Sequence, residues 1–83
     1  MIASGTRLKL KKFKKDYNAK IRARIKNYRK LRSYSQELLA EKIDRTREHV
    51  NKIENGKQTV GLNTFIRLAF ALDVSLEELA GLK

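Results

Sequence analysis

The chain has 83 residues, enough for one domain around one modest core. It contains no cysteine and no proline, and its formal net charge is +11. That composition leaves no disulfide framework, no thiol chemistry and no cysteine-based zinc site. No apolar run is long enough to span a bilayer or to form a signal-peptide core, so no membrane-spanning segment is expected.

The charge is unevenly placed. Residues 1–32 hold 13 Lys/Arg against one acid, Asp16, whereas residues 33–83 hold 7 Lys/Arg against 8 acids. A basic leading segment on a near-neutral domain points to a polyanionic partner. Sparse β-branched alternation and the absence of proline make an all-α domain the default.

Residues 1–16, MIASGTRLKLKKFKKD, read as a basic N-terminal arm, and residues 17–83 as the domain. Met1 to Thr6 are expected to be irregular. Leu10, Phe13, Tyr17, Ile21 and Ile25 recur at helical spacing, while Leu8-Lys9-Leu10-Lys11 alternates as a strand would, so both conformations stay open. Three roles fit the arm: a grip on DNA phosphates or a minor groove, a basic amphipathic membrane surface, or a solubilising tail.

The first domain helix is expected over residues 17–32, capped by Asp16 or Asn18. Ile21, Ile25 and Tyr28 would face the core, with Arg22, Arg24, Lys26 and Lys30 outward. Ser33-Tyr34 is a turn. Ser35 caps a second helix, because its hydroxyl can accept from an orphan N–H of the first turn. Leu39, Ala40 and Ile43 are its apolar side. Gln36, at its start, stands where a side-chain amide and free N–H groups can meet a phosphate.

Asp44-Arg45-Thr46 interrupts the apolar pattern, and Asp44 tolerates the left-handed conformation a tight turn needs. Thr46 caps a third helix that Asn55-Gly56 ends. Val50 and Ile53 mark its buried side. Arg47, Glu48, Asn51, Lys52 and Asn55 share the opposite face. Arginine can pair with guanine, asparagine with adenine, and glutamate can accept from cytosine. A merely solvated face is the competing reading. His49, the single histidine, has no nucleophile, acid or second ligand at useful spacing, so neither catalysis nor metal binding is expected.

Lys57 to Gly61 form a polar loop. A fourth helix follows over Leu62 to Leu72, with Leu62, Phe65, Leu68, Ala69 and Leu72 at core spacing and Gly61 a weak cap. Ile66 and Phe70 fall beside that stripe and, with Leu82, form a candidate dimer patch; the alternative is that Phe70 folds back onto the core. The last helix, from Leu76 to about Ala80, opens with a Ser75/Glu78 capping box and a Val74–Leu79 staple. No further domain is expected beyond Lys83.

Arg29 six positions before Ser35-Gln36, then Leu39-Ala40, Ile53-Glu54-Asn55-Gly56, Val74-Ser75-Leu76 and Leu79 resemble the Cro/phage-repressor (XRE-type) helix-turn-helix family. The resemblance covers about Ile21 to Leu79. It implies a five-helix lambda-repressor-like domain that regulates transcription, without enzymatic activity, in a bacterial cytoplasm. It also implies an ion pair between Arg29 and Glu54. Gln36, Arg45, Asn55, Lys57, Gln58 and Thr59 would hold the DNA backbone, and Thr46, Arg47, Glu48, His49, Asn51 and Lys52 would face the bases. A homodimer on a palindromic operator is the expected form, with double-stranded DNA as partner and no cofactor, metal or small-molecule ligand.

Departures from the family pattern are Leu38 in place of the usual glutamate, Asp44 and Ser33 in place of glycines, Arg45 in place of an aliphatic residue, and Phe70 in place of a polar one. A restriction–modification controller or the antitoxin of a toxin–antitoxin pair fits the same residues. A co-activator-like protein-interaction module is the alternative from another class.

Overall fold

A computed structural model describes residues 4–82. Within them the chain forms five helices and no strand: α1 Ser4–Leu31, α2 Gln36–Lys42, α3 Arg47–Glu54, α4 Leu62–Leu72 and α5 Leu76–Ala80. The five-helix, all-α architecture is the one the sequence implies.

Helix α1 differs from expectation at its start. It is a single element of 28 residues that passes through Asp16 and Asn18, so neither caps it, and Ser4 to Thr6 are helical. Residues 1–3 lie outside the described part. From Arg7 to Tyr17 there is no glycine, proline or β-branched residue, and straight-chain side chains lose little rotamer freedom in a helix. That local preference overrides the Leu-Lys alternation. The backbone shows no break at the expected boundary between arm and domain.

The core is built from Ile25 of α1, Leu39 and Ala40 of α2, Ile43 just after it, Val50 and Ile53 of α3, Leu68, Ala69 and Leu72 of α4, and Leu79 of α5. Tyr34, Val60, Phe65 and Val74 close its edges. Leu62 does not join it. As the first residue of α4 it stands at the domain edge, 74% exposed, and Thr64 is buried instead.

The expected N-caps form. Ser35 Oγ accepts from Leu38 N, and Thr46 Oγ1 from His49 N. Ser75 Oγ accepts from Glu78 N while Glu78 Oε1 accepts from Ser75 N. Gly61 supplies no side-chain cap to α4. At the other ends, Ser33, Asp44, Gly56, Asp73 and Gly81 all take positive φ. Each closes the last turn of the helix before it, as Asp44 does when Arg45 N donates to Ala40 O at 2.9 Å.

Arginine side chains also bind several helix-end carbonyls. Arg24 Nε donates to Glu78 O (2.8 Å), Arg32 Nε to Leu72 O (2.9 Å) and Arg67 Nη1 to Ile43 O (3.0 Å). A cation there complements the negative end of the helix dipole and donates to a carbonyl that has a free lone pair. Tyr17 Oη adds a bond to Ala80 O at 2.6 Å. The Tyr17, Arg24 and Arg32 bonds fix α1 across α4 and α5, the Arg67 bond joins α4 to the end of α2, and α2 and α3 are left to present one surface.

Candidate nucleic-acid interface

The turn between α2 and α3 sets the direction of α3. Asp44 at φ 57° reverses the chain, and Thr46, extended at ψ 155°, starts the new helix. Val50, Ile53 and Glu54 of α3 are buried. Arg47, Glu48, Asn51, Lys52 and Asn55 are exposed on the opposite side, and His49 and Arg45 are half-buried at its edge. The helical spacing therefore separates a core face from an open polar face as the sequence indicates.

Beneath that face lies an ion pair. Arg29 Nε donates to Glu54 Oε2 at 2.6 Å and Arg29 Nη2 to Glu54 Oε1 at 2.9 Å, a bidentate contact in which the glutamate side chain is 1% exposed. Arg29 Nη1 donates to Tyr34 O at 2.8 Å and so ties down the turn before α2. A chain of hydrogen bonds carries the arrangement to the surface. Gln36 Nε2 donates to Glu54 Oε1 (3.2 Å), Asn51 Nδ2 to Gln36 Oε1 (3.2 Å), and Asn55 Nδ2 to Asn51 Oδ1 (3.0 Å). Gln36 thus faces α3, with both ends of its amide engaged within the protein. No buried side-chain polar atom is left without a partner among the described residues.

The open face is pre-set rather than bare. Glu48 and Lys52 pair with each other at 3.2 Å, and the Thr46 hydroxyl caps its own helix. Arg47 makes no hydrogen bond or ion pair to any described residue. Arg45 turns back to Asp44 O at 2.9 Å. Lys57, Gln58 and Thr59 are exposed in the loop that follows Gly56.

Other expected positions separate. Ile66 and Phe70 line one shallow depression with Lys42, Arg67 and Ala71. Phe70 is 82% exposed and does not fold back onto the core. Leu82 is exposed too, but it does not line that depression. A feature the sequence reading missed is the groove between α1 and the α3–α4 loop, where Lys15, Asn18 and Arg22 stand against Gly56, Gln58 and Thr59. The signal was available, since Arg22 lies two helical turns before Arg29 and so shares the face that meets α3.

The fold and this face define a helix-turn-helix DNA-binding domain, and comparison with known proteins agrees. A helix-turn-helix family model matches residues 25–79, and the chain belongs to that family, in its Cro/C1 (XRE) branch. Among solved structures it is similar to the restriction–modification controller protein C.AhdI from Aeromonas hydrophila, with 34% identity, a TM-score of 0.71 and coverage of 75% of this chain and 94% of that one. No curated protein matches it. The chain is a DNA-binding transcriptional regulator. No helix among the described residues is long and apolar enough to cross a membrane.

Proposed function

We propose that the chain binds a palindromic operator as a homodimer in the cytoplasm, reading sequence through α3 and doing no chemistry on the DNA. The observation that carries this reading is the polar face of α3, held in one orientation by the Arg29–Glu54–Gln36–Asn51–Asn55 network. Arg47, the unpaired cation on that face, is the leading base contact, suited to guanine O6 and N7. Thr46, Glu48, His49, Asn51 and Lys52 read neighbouring base edges. Gln36, Arg45, Asn55, Lys57, Gln58 and Thr59 set the register on the phosphates, and residues 1–16 add electrostatic attraction. Ile66 and Phe70 contribute the dimer contact, and Leu82, exposed apart from their depression, is a separate candidate. Likeness to C.AhdI favours a restriction–modification controller over the other regulators of this class.

Selection of bound sequences from random duplex DNA, at low and moderate salt, tests the reading. A palindrome with half-sites about 34 Å apart is the expected product. Arg47→Ala should relax one position in each half-site, a loss of about 1–3 kcal/mol of discrimination. Binding that enriches no sequence at either salt concentration rejects the regulator reading and favours a protein-interaction module.

A further inference from the structure

The regulator reading accounts for α3 and its flanking loop but not for the groove beside them. Three of the arginines on or next to α1 bind within the protein: Arg24 to Glu78 O, Arg29 to Glu54, and Arg32 to Leu72 O. Arg22, also on α1, does not. It is half-buried, yet it makes no hydrogen bond or ion pair to any described residue. Its guanidinium lies over Gly56, so close that a Cβ added there would stand 2.9 Å from Arg22 Cζ. This is the carbonyl end of α3, where a cation is favoured, yet Arg22 donates to none of those carbonyls.

Lys15 lies seven residues earlier and lines the same groove, as do Gln58 and Thr59, and no acid lines it. Asn18 falls between the two cations on the same face. Ile21, Ile53, Val60 and Phe65 supply an apolar lining, and the polar groups are Lys15, Asn18 and Arg22 on the α1 wall and Gln58 and Thr59 in the loop that follows α3.

We infer that the α1 face carrying Lys15, Asn18 and Arg22 is a second backbone-binding surface, which takes phosphates of duplex DNA outside the base pairs that α3 reads. This rests on the regulator reading proposed above. From Lys15 to Arg22 the helix rises about 10 Å, which matches roughly three phosphates of one strand by axial rise. The partner is recognised by charge alone, so the surface lengthens the footprint and adds no sequence preference.

The test uses the full chain and the duplex that selection yields, with flanks of about one helical turn and with those flanks removed. Lys15→Gln with Arg22→Gln should lower the slope of log affinity against log salt by about 2 per protomer, at roughly 0.9 per contact, and leave the consensus unchanged. The double variant should also lose the wild type's preference for the flanked duplex. Lys20→Gln with Lys30→Gln removes the same charge from exposed positions on the other side of α1, outside the arm, and should keep that preference. Lys15→Gln alone, at an exposed position that folding does not need, should lower the slope by about 0.9. Equal flank dependence and equal slopes in the two double variants overturn the surface while the regulator reading stands. A wild type that enriches no sequence overturns both.

Discussion

The two halves of α1 are both basic, and they use their charge in opposite ways. In the inner half, from residue 17 onward, Tyr17 and Arg24 bind carbonyls of α5 and Arg29 binds Glu54; just past its end, Arg32 binds the close of α4. In the outer half, Lys9, Lys11, Lys12, Lys14 and Lys15 are all exposed, and Phe13, exposed as well, packs its ring 5.4 Å from that of Tyr17. Residue type follows the use of the charge: Arg24, Arg29 and Arg32 bind within the fold, whereas Lys20, Lys26 and Lys30 of the inner half are exposed like the lysines of the outer half. The planar fork of arginine fits carboxylates and carbonyls inside a fold, while the compact, strongly hydrated ammonium of lysine suits an open surface. Tyr17, Arg24, Arg29 and Arg32 thus tie the inner half into the domain, while the described lysines of the outer half stay open.

The sharpest way to break this contrast is to remove the inner cation with the most partners. Arg29→Ala strands the buried Glu54 carboxylate and frees Tyr34 O, and it should cost about 3–5 kcal/mol in urea denaturation. Replacing the pair together, Arg29→Met with Glu54→Leu, should recover most of that loss, because no buried charge is then left unpaired. A single-variant loss below about 1 kcal/mol would place Arg29 with the surface cations and erase the distinction.

Which inner contacts were legible in the sequence follows the same division. The Arg29–Glu54 pair was expected through family resemblance, and the caps at Ser35, Thr46 and Ser75, like the left-handed Asp44, are local signals of residue type. Arg24, Arg32 and Arg67 were read as outward charges or not singled out, since their carbonyl partners lie 54, 40 and 24 residues away and a backbone acceptor has no residue signature. Asp73 at φ 56° was missed because helix-end readings look for glycine or asparagine. The start of α1 was missed because Ser4 opens it with no acid in its first turn. The polar face of α3 was legible from spacing alone. The engagement of Gln36 with Glu54 and Asn51 required the packing of α2 on α3.

A smaller effect tests the next inner tie. Tyr17→Phe removes the hydroxyl that donates to Ala80 O and keeps the ring against Phe13. The expected cost is about 0.5–1.5 kcal/mol, with DNA affinity unchanged once the protein is folded. Hydrogen exchange should show the loss first in α5, whose last carbonyls lose a partner. A uniform loss across all five helices would mean that the tie supports the whole domain rather than the docking of α5.

The smallest effect on stability belongs to the outer half and carries the opposite sign. Lys12 stands three residues from both Lys9 and Lys15, and like charges at that spacing oppose the helix by about 0.2–0.5 kcal/mol per pair. Lys12→Gln should therefore leave the denaturation midpoint unchanged or raise it slightly, while helix content measured by circular dichroism rises at low salt. In the wild type the same gain should come from added salt, which screens the repulsion. A bound phosphate backbone would do the same locally, so DNA binding and ordering of the outer helix should be coupled. A fall in helix content on Lys12→Gln would show instead that the lysine supports the helix, and the outer half would then resemble the inner one.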